Sequence, residues 1–254
     1  MDAMEPVVAG VIAGFVTCQV ALFATSIYLH RTLAHRSVKM KPQAAIAART
    51  AIWLLTGIKP RQWVAVHRKH HAYTDVAGDP HSPEVSGFTR VLLGNALLYR
   101  SVARDKAVVS RYAQDLQPDR LDRWVFDRGL LGLAVSGAVA VALLGWEAAV
   151  VAGGVSIGGY LLAGGAINAI GHRFGTRPYP NTATNSRLLG ILVAGEGLHN
   201  NHHGAPTSAR FSHRRGELDP SWWAIRIMLR TRMAAVRHQG IRLRGSTRPV
   251  AAPS

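Results

Sequence analysis

Gly195-Glu196-Gly197-Leu198-His199-Asn200-Asn201-His202-His203 is the stretch on which the reading of this chain turns. Its three histidines stand at i, i+3 and i+4, a spacing that places side chains on one face of a helix, a turn apart. One such cluster could arise by chance. The chain repeats it at His67-Arg68-Lys69-His70-His71 and adds a pair in His30-Arg31-Thr32-Leu33-Ala34-His35. His172 closes an apolar run, so nine of the twelve histidines fall in four places. Neutral imidazole is the commonest metal ligand and brings no charge of its own. Nine of them are enough for more than one ion.

A length of 254 residues fits one domain or a small membrane protein. The formal charge is +16, and 25 of the 30 basic residues are arginine. These residues border long apolar runs, so the expected contacts are anionic lipid headgroups or acidic protein partners, and no nucleic acid. The single cysteine, Cys18, allows no intrachain disulfide and no cysteine-based zinc or iron–sulfur site. It reads as a small buried apolar residue.

Residues 7–29 carry no charge and exceed the ~20 residues a bilayer span needs. A signal peptide would open on basic residues, but Asp2 and Glu5 stand there and no Lys or Arg precedes Arg31. The positive-inside rule then puts the N-terminus outside and the His30 to Arg36 segment in the cytoplasm. His30 and His35 would diverge by ~140° on an unbroken α-helix, so either the helix ends between them or the backbone bends. Residues 44–58 are apolar but short and contain Arg49. A span there would put His30 and His67 on opposite sides of the membrane, so an interfacial or re-entrant helix is expected, closed by Gly57 and Pro60. Residues 78–83 read as a turn, and residues 85–127 as short cytoplasmic helices.

From Gly129 to His172 there is no Lys or Arg, and the only acid is Glu147. Two spans, about 129–145 and 148–170, fit with a turn at Gly145-Trp146-Glu147 and Trp146 at the outer interface. The second arm is glycine-rich, which suits close helix packing or room for a ligand chain. This hairpin returns Asn168 and His172, four apart on one face, to the side of the other histidines. Residues 221–239 alternate apolar and basic residues at helical period and read as an amphipathic helix, with Trp222 and Trp223 at headgroup depth. The expected architecture is all-α: one membrane domain over residues 1–240, a helical bundle of about three transmembrane spans. A cytoplasmic helical cap would hold a histidine-rich di-metal site, and residues 241–254 would form a disordered basic tail.

Imidazole suits Fe, Zn, Cu or Ni. Zinc needs only three or four ligands, so nine fit two ions better. Two irons near a membrane can activate oxygen and attack an unactivated C–H bond, whereas zinc has no redox chemistry. Soluble di-iron bundles use Glu and Glu-x-x-His instead, and carboxylates are few here.

The pattern His-x4-His, His-x2-His-His, His-x2-His-His resembles that of the integral-membrane fatty acid desaturases. The wording is similar to the acyl-CoA, delta-9 branch at His30-Arg31-x3-His35, His67-Arg68-x-His70-His71, Asp79-Pro80-His81, Asn168-x3-His172, Arg177-Pro178-Tyr179 and the opening stretch. The likeness runs from about Gly10 to about Met233. It implies two non-heme irons ligated by His30, His35, His67, His70, His71, His172, His199, His202 and His203, with Asn168 reaching one metal through water. It implies a saturated acyl-CoA or acyl-lipid chain lying between the helices, O2 as co-substrate and a cis double bond as the product. Glu196, Asp79 and His81 are expected behind the ligands. Glu196 would orient an imidazole, and His81 would be a hydrogen-bonded turn residue. Trp63 would touch substrate or simply pack at the interface. His213 and His238 fall outside the motifs and are expected on the surface.

The branch usually places two spans before its first histidine pair, and this chain has room for one. That would open one side of the bundle, which a homodimer would cover. With no His-Pro-Gly-Gly heme motif, electrons would come from a separate ferredoxin or b-type cytochrome and its reductase, steered by the basic face. The expected location is a bacterial inner membrane, with the histidines on the cytoplasmic side. A di-iron hydroxylase on the same scaffold is the alternative reaction. A bis-histidine heme carrier would need histidines facing each other within the spans, whereas these sit at helix ends. A silent metal-binding protein would hold metal and form no oxygen-dependent product.

Overall fold

The computed structural model describes residues 4–238 and 241–243. The chain opens with α1 (Met4–Ala24), which runs without a break into a π-helix (Thr25–Ala34). Strand β1 (Val38–Met40), α2 (Pro42–Leu55) and α3 (Pro60–Ala72) follow. Then come α4 (Pro83–Ser86), α5 (Phe88–Ala103), α6 (Lys106–Tyr112) and a short second π-helix (Asp122–Phe126). The hairpin is α7 (Gly129–Leu144) and α8 (Trp146–Arg173). Helices α9 (Arg187–Leu192), α10 (His199–Gly204) and α11 (Pro220–Arg230) lead to β2 (Ala234–Val236). Helices α2, α3, α4 and α11 each start with proline in the first turn, where its fixed φ and missing N–H cost nothing.

Two continuous helices, Met4–Ala34 and Trp146–Arg173, are long and apolar enough to cross a bilayer. Helix α7 is apolar but has 16 residues, about 24 Å. Gly10 lies against Ala148 and Val151, Gly14 against Ala152 and Val155, and Gly159 against Cys18. The contacts advance together along both helices, so α1 and α8 run parallel. A Cβ on Gly10 or Gly14 would meet the carbonyl oxygen of Ala148 or Ala152 at 2.6 Å, so the pair packs backbone to backbone. Parallel packing delivers the His30 end of one helix and the His172 end of the other to the same end of the bundle.

The glycines of α8 divide by role. A Cβ at Gly165 would meet the carbonyl of Leu92 on α5 at 1.9 Å, whereas Gly164 lines a cavity. Gly153, Gly154 and Gly158 have nothing within 4 Å. Packing and clearance for a ligand are therefore both present on one helix, at different residues.

The helix expected over 44–58 is present as α2, which runs from Pro42 to Leu55. Its Trp53 packs on Gly132 of α7 and donates its indole N–H to the Arg128 carbonyl at 3.0 Å. The helix expected over 221–239 stops at Arg230, a correction. Arg232 turns the chain with φ +57, and Ala234–Val236 pairs antiparallel with Val38–Met40, Val38 opposite Val236. A partner strand far away in sequence overrides the local helical period there. The expected tail at 241–254 is also shortened, because Ile241 is buried; residues 244–254 lie outside the described residues.

Candidate metal centre

The π-helix answers the divergence of His30 and His35. Its wider turn bonds residue i to i+5, and the His35 N–H donates to the His30 carbonyl at 3.1 Å. The wider turn brings residues five apart to one side of the helix. Although the π-helix ends at Ala34, as one of the two expectations had it, the capping residue His35 still faces the side of His30, with ring centroids 5.0 Å apart.

The nine histidines sort into two groups, each with its ring nitrogens within 4.8 Å of one another. One holds His30, His35, His67, His71 and His202; the other holds His70, His172, His199 and His203. The two His-x2-His-His clusters divide in opposite senses. On α3 the i, i+4 pair His67 and His71 joins the first group while His70 joins the second. On α10 the pair His199 and His203 joins the second while His202 joins the first. Adjacent helical residues point about 100° apart, so each His-His dipeptide faces both groups at once. All three histidines of a cluster do not share one target, as the spacing alone suggested.

Within each group the Nε2 atoms converge. In the first, they lie 3.0 Å apart for His30 and His202, 2.8 Å for His35 and His67, and 2.9 Å for His71 and His202. In the second, the separations are 3.0 Å for His172 and His199, 3.2 Å for His199 and His203, and 3.3 Å for His70 and His203. Ligands on bonds of about 2.1 Å at right angles would stand about 3 Å apart.

Carboxylates hold the far side of three rings. His30 Nδ1 lies 2.6 Å from Glu196 Oε2, His70 Nδ1 2.9 Å from Asp79 Oδ2, and His172 Nδ1 2.8 Å from Asp75 Oδ2. A neutral imidazole has one N–H, so these three donate at Nδ1 and present bare lone pairs at Nε2. In the run of contacts His172–His199–His203–His70 both end rings are bare at Nε2. No placement of one proton per neutral ring satisfies all three contacts, whereas a central cation would, so the donor set fits metal ions. Burial first, and then neighbouring imidazoles, push His35, His67, His71, His199, His202 and His203 well below the ordinary histidine pKa, which keeps them available as neutral ligands.

The loop carrying the acids is built for its task. Asp75 stands just past α3 with φ +60, a left-handed conformation that aspartate tolerates better than most residues, and so swings back to His172. Ser82 Oγ donates to it at 2.6 Å, and Thr182 donates as well. Asp79 accepts the backbone N–H of Asp75 at 2.9 Å and of His81 at 3.0 Å. Burial opposes ionisation of Asp75, Asp79 and Glu196, but these bonds and the imidazoles keep all three below the usual carboxylate range.

The Gly195-Glu196-Gly197 lead-in has a steric reason. A Cβ on Gly195 would meet Asp219 Oδ1 at 2.3 Å, and one on Gly197 would meet the Gly190 nitrogen at 2.2 Å. Between them Glu196 reaches both His30 and Arg31.

Sequence reasoning missed Asp75 and the burial of Arg31. Asp75 had a usable signal, an isolated acid four residues beyond His71 in a chain with only 14 acids. Arg31, read as part of a cytoplasmic basic segment, is fully buried. It pairs with Asp219 at 2.9 Å and lies 3.7 Å over the Phe211 ring, which in turn tilts against His202. His81 is buried with both ring nitrogens unpartnered, so only its backbone fits the expected hydrogen-bonded turn. His213 is a correction: it is 3% exposed, sandwiched between the Tyr179 hydroxyl and the Arg210 carbonyl. It lies on the loop between α10 and α11, folded against Tyr179 of the α8–α9 connection, with ring centroids 5.5 Å apart.

A cavity of about 420 Å³ opens beside the histidines. His30, His67, His199 and Asn168 line it at the end beside the histidine groups, and Leu22 and Ile157 contribute apolar wall. Trp63 both lines the cavity and stacks on His67, with ring centroids 4.9 Å apart and planes at 12°. Asn168 also donates to Asn95 Oδ1 at 3.2 Å.

A sequence profile of the fatty acid desaturase family matches residues 6–226, a stretch that contains every histidine of both groups. The chain belongs to the fatty acid desaturase family. An acyl-CoA C20 delta-5 desaturase of Anemone leveillei is 33% identical over 214 residues, covering 82% of this chain and 66% of the relative. The delta-9 desaturase-like 1 protein of Arabidopsis thaliana is 32% identical over 222 residues, 85% of this chain and 71% of its own. An sn-1 stearoyl-lipid 9-desaturase of Anabaena variabilis is 29% identical over 201 residues, 78% of this chain and 72% of its own. The chain thus spans about two thirds of the length of the curated relatives it matches. With its long apolar helices, this family membership makes it a helical membrane protein.

Proposed function

We propose that this protein is a fatty acyl desaturase that introduces a cis double bond into a saturated acyl chain, of the delta-9 type. The observation that carries the reading is two converging imidazole groups bordering one largely apolar cavity, within a chain of this family. We assign His30, His35, His67, His71 and His202 to one iron and His70, His172, His199 and His203 to the other, with Asn168 reaching the second through water. Two irons there would supply the redox chemistry of oxygen activation. The balance is one O2, two electrons, two protons and two hydrogens from the chain, giving the alkene and two waters.

The protein's own residues prepare that chemistry. Glu196, Asp79 and Asp75 fix the tautomers of His30, His70 and His172 so that each presents Nε2. Trp63, stacked on His67, forms a flat wall along which an acyl chain would lie. Leu22, Ile157 and Leu161 keep water from the methylenes. Lys59, Gln62 and Arg100 also line this cavity, and we place the acyl carrier, CoA or lipid, toward them. Electrons would come from a ferredoxin or b-type cytochrome drawn to the basic face. We read α1, α7 and α8 as three spans, with the histidines on the cytoplasmic side, and a homodimer in the membrane.

The test is a fatty-acid profile of cells carrying this gene with an electron donor supplied, beside cells carrying His199→Ala, read by mass spectrometry for double-bond position. A new monoenoic acid, lost in the variant, is expected. A hydroxylated chain in its place would refute desaturation in favour of oxygen insertion on the same scaffold.

A further inference from the structure

The two imidazole groups are not electrostatically alike. The four-histidine group carries two carboxylates directly on its ligands, Asp79 on His70 and Asp75 on His172. The partners of these carboxylates are neutral: hydroxyls of Ser82 and Thr182 on Asp75, and backbone N–H groups on Asp79. In the five-histidine group the acid on a ligand is Glu196, behind His30, and it is shared with a guanidinium. Arg31 is fully buried, 3.6 Å from Glu196 and bidentate to Asp219 at 2.9 and 3.0 Å. A second arginine, Arg68, donates to the carbonyls of Ala34 and Leu33 next to His35, but its charge is met by Asp115, 2.5 Å away.

We infer that the two metal positions are unequal, and that the four-histidine position takes and holds the first ion. This rests on the reading that the nine histidines bind two metals. A carboxylate behind an imidazole raises its basicity, and such a partner is worth about 10–100-fold in metal affinity. The four-histidine position has two such partners without a cation on them. The five-histidine position has one, with Arg31 drawing on its charge. Enclosure acts in the same direction: all four histidines of one group are buried, whereas His35 and His71 of the other are only partly buried. Ligand count acts the other way, but the fifth imidazole is neutral and only replaces a water. Each carboxylate without a cation adds a full negative charge directly behind a ligand ring, and its attraction for a divalent ion is larger at low dielectric.

The experiment uses the purified full chain in detergent, stripped of metal and titrated anaerobically with ferrous ion against a chromophoric chelator. Two steps at least tenfold apart are expected. His172→Ala should abolish the tighter step, and His35→Ala the weaker. Asp75→Asn should weaken only the tighter step, by about 10–100-fold, and Glu196→Gln only the weaker. Two ions bound with one affinity, or loss of the tighter step in His35→Ala, would overturn the inference while leaving a two-metal centre intact. An unmodified chain that binds no ion at all would overturn the two-metal reading itself. The titration of the unmodified chain decides equality even if a variant fails to fold, and circular dichroism identifies such a variant.

Discussion

His213 shows how a side chain outside every motif becomes part of the core. Burial pushes its pKa down to about 4, against the ordinary histidine value of 6.5, although its bond to the Arg210 carbonyl works in the other direction. In the folded protein it stays neutral down to that value, whereas the unfolded chain takes up a proton below 6.5. Its contribution is therefore complete above pH 6.5 and is lost as pH falls toward 4, an effect of about 3 kcal/mol at most. His213→Gln should flatten the fall in thermal midpoint between pH 6.5 and 4, measured by tryptophan fluorescence in detergent. An unchanged pH profile would show that His213 is not held neutral by the fold. The same residue marks a limit of legibility. Nothing near it in sequence separates it from His238, and only the returning chain buries it.

Helix α8 offers a paired comparison at the scale of the element. Gly158 and Gly165 are identical residues on the same helix, two turns apart. An added methyl at Gly165 would strike the Leu92 carbonyl at 1.9 Å and push α5 away from α8, while at Gly158 it would meet nothing within 4 Å. Gly165→Ala should cost about 1–3 kcal/mol as an overpacked contact. Gly158→Ala should be neutral or stabilise by up to about 1 kcal/mol through lower backbone entropy in the unfolded chain. Thermal midpoints of the two variants in one detergent check this, and equal shifts would mean that α5 does not pack as described. The composition of the arm announced close packing, yet it did not say which glycines pack. The first π-helix was less legible still. The five-residue spacing of His30 and His35 exposed a conflict with α-helical geometry, and only the backbone, with its i to i+5 bond, resolved it.

The whole molecule is a bundle whose chemistry is gathered at one end by parallel packing of α1 and α8. If α7 and α8 form a hairpin in the plasma membrane with the histidines on its cytoplasmic side, as proposed above, Glu147 would lie outside the cell and Arg104 inside, both being exposed on the surface. In a Cys18→Ala background, Glu147→Cys should react with an impermeant maleimide on intact cells, and Arg104→Cys only after permeabilisation. Labelling of both without permeabilisation would refute the hairpin topology. The protein should also stay with the membrane through alkaline carbonate, which strips proteins held only by charge.

The amino-acid sequence by itself determined the inventory: six histidines at helical spacing, a pair five apart and His172 at the end of an apolar run, apolar stretches long enough to form the bundle, and the glycines flanking Glu196. These are local properties, set by the period of a helix and by side-chain size, and no distant contact is needed to read them. Tertiary structure decided the partition. Which imidazole joins which group depends on how α3, α8, α10 and the π-helix approach one another, and His70 and His71, adjacent in the chain, fall in opposite groups. It also decided the partners of the ligands, because Asp75 meets His172 across 97 residues and Arg31 meets Asp219 across 188. Pairings over such separations are fixed by the packing of whole helices, and no periodicity in the sequence encodes them.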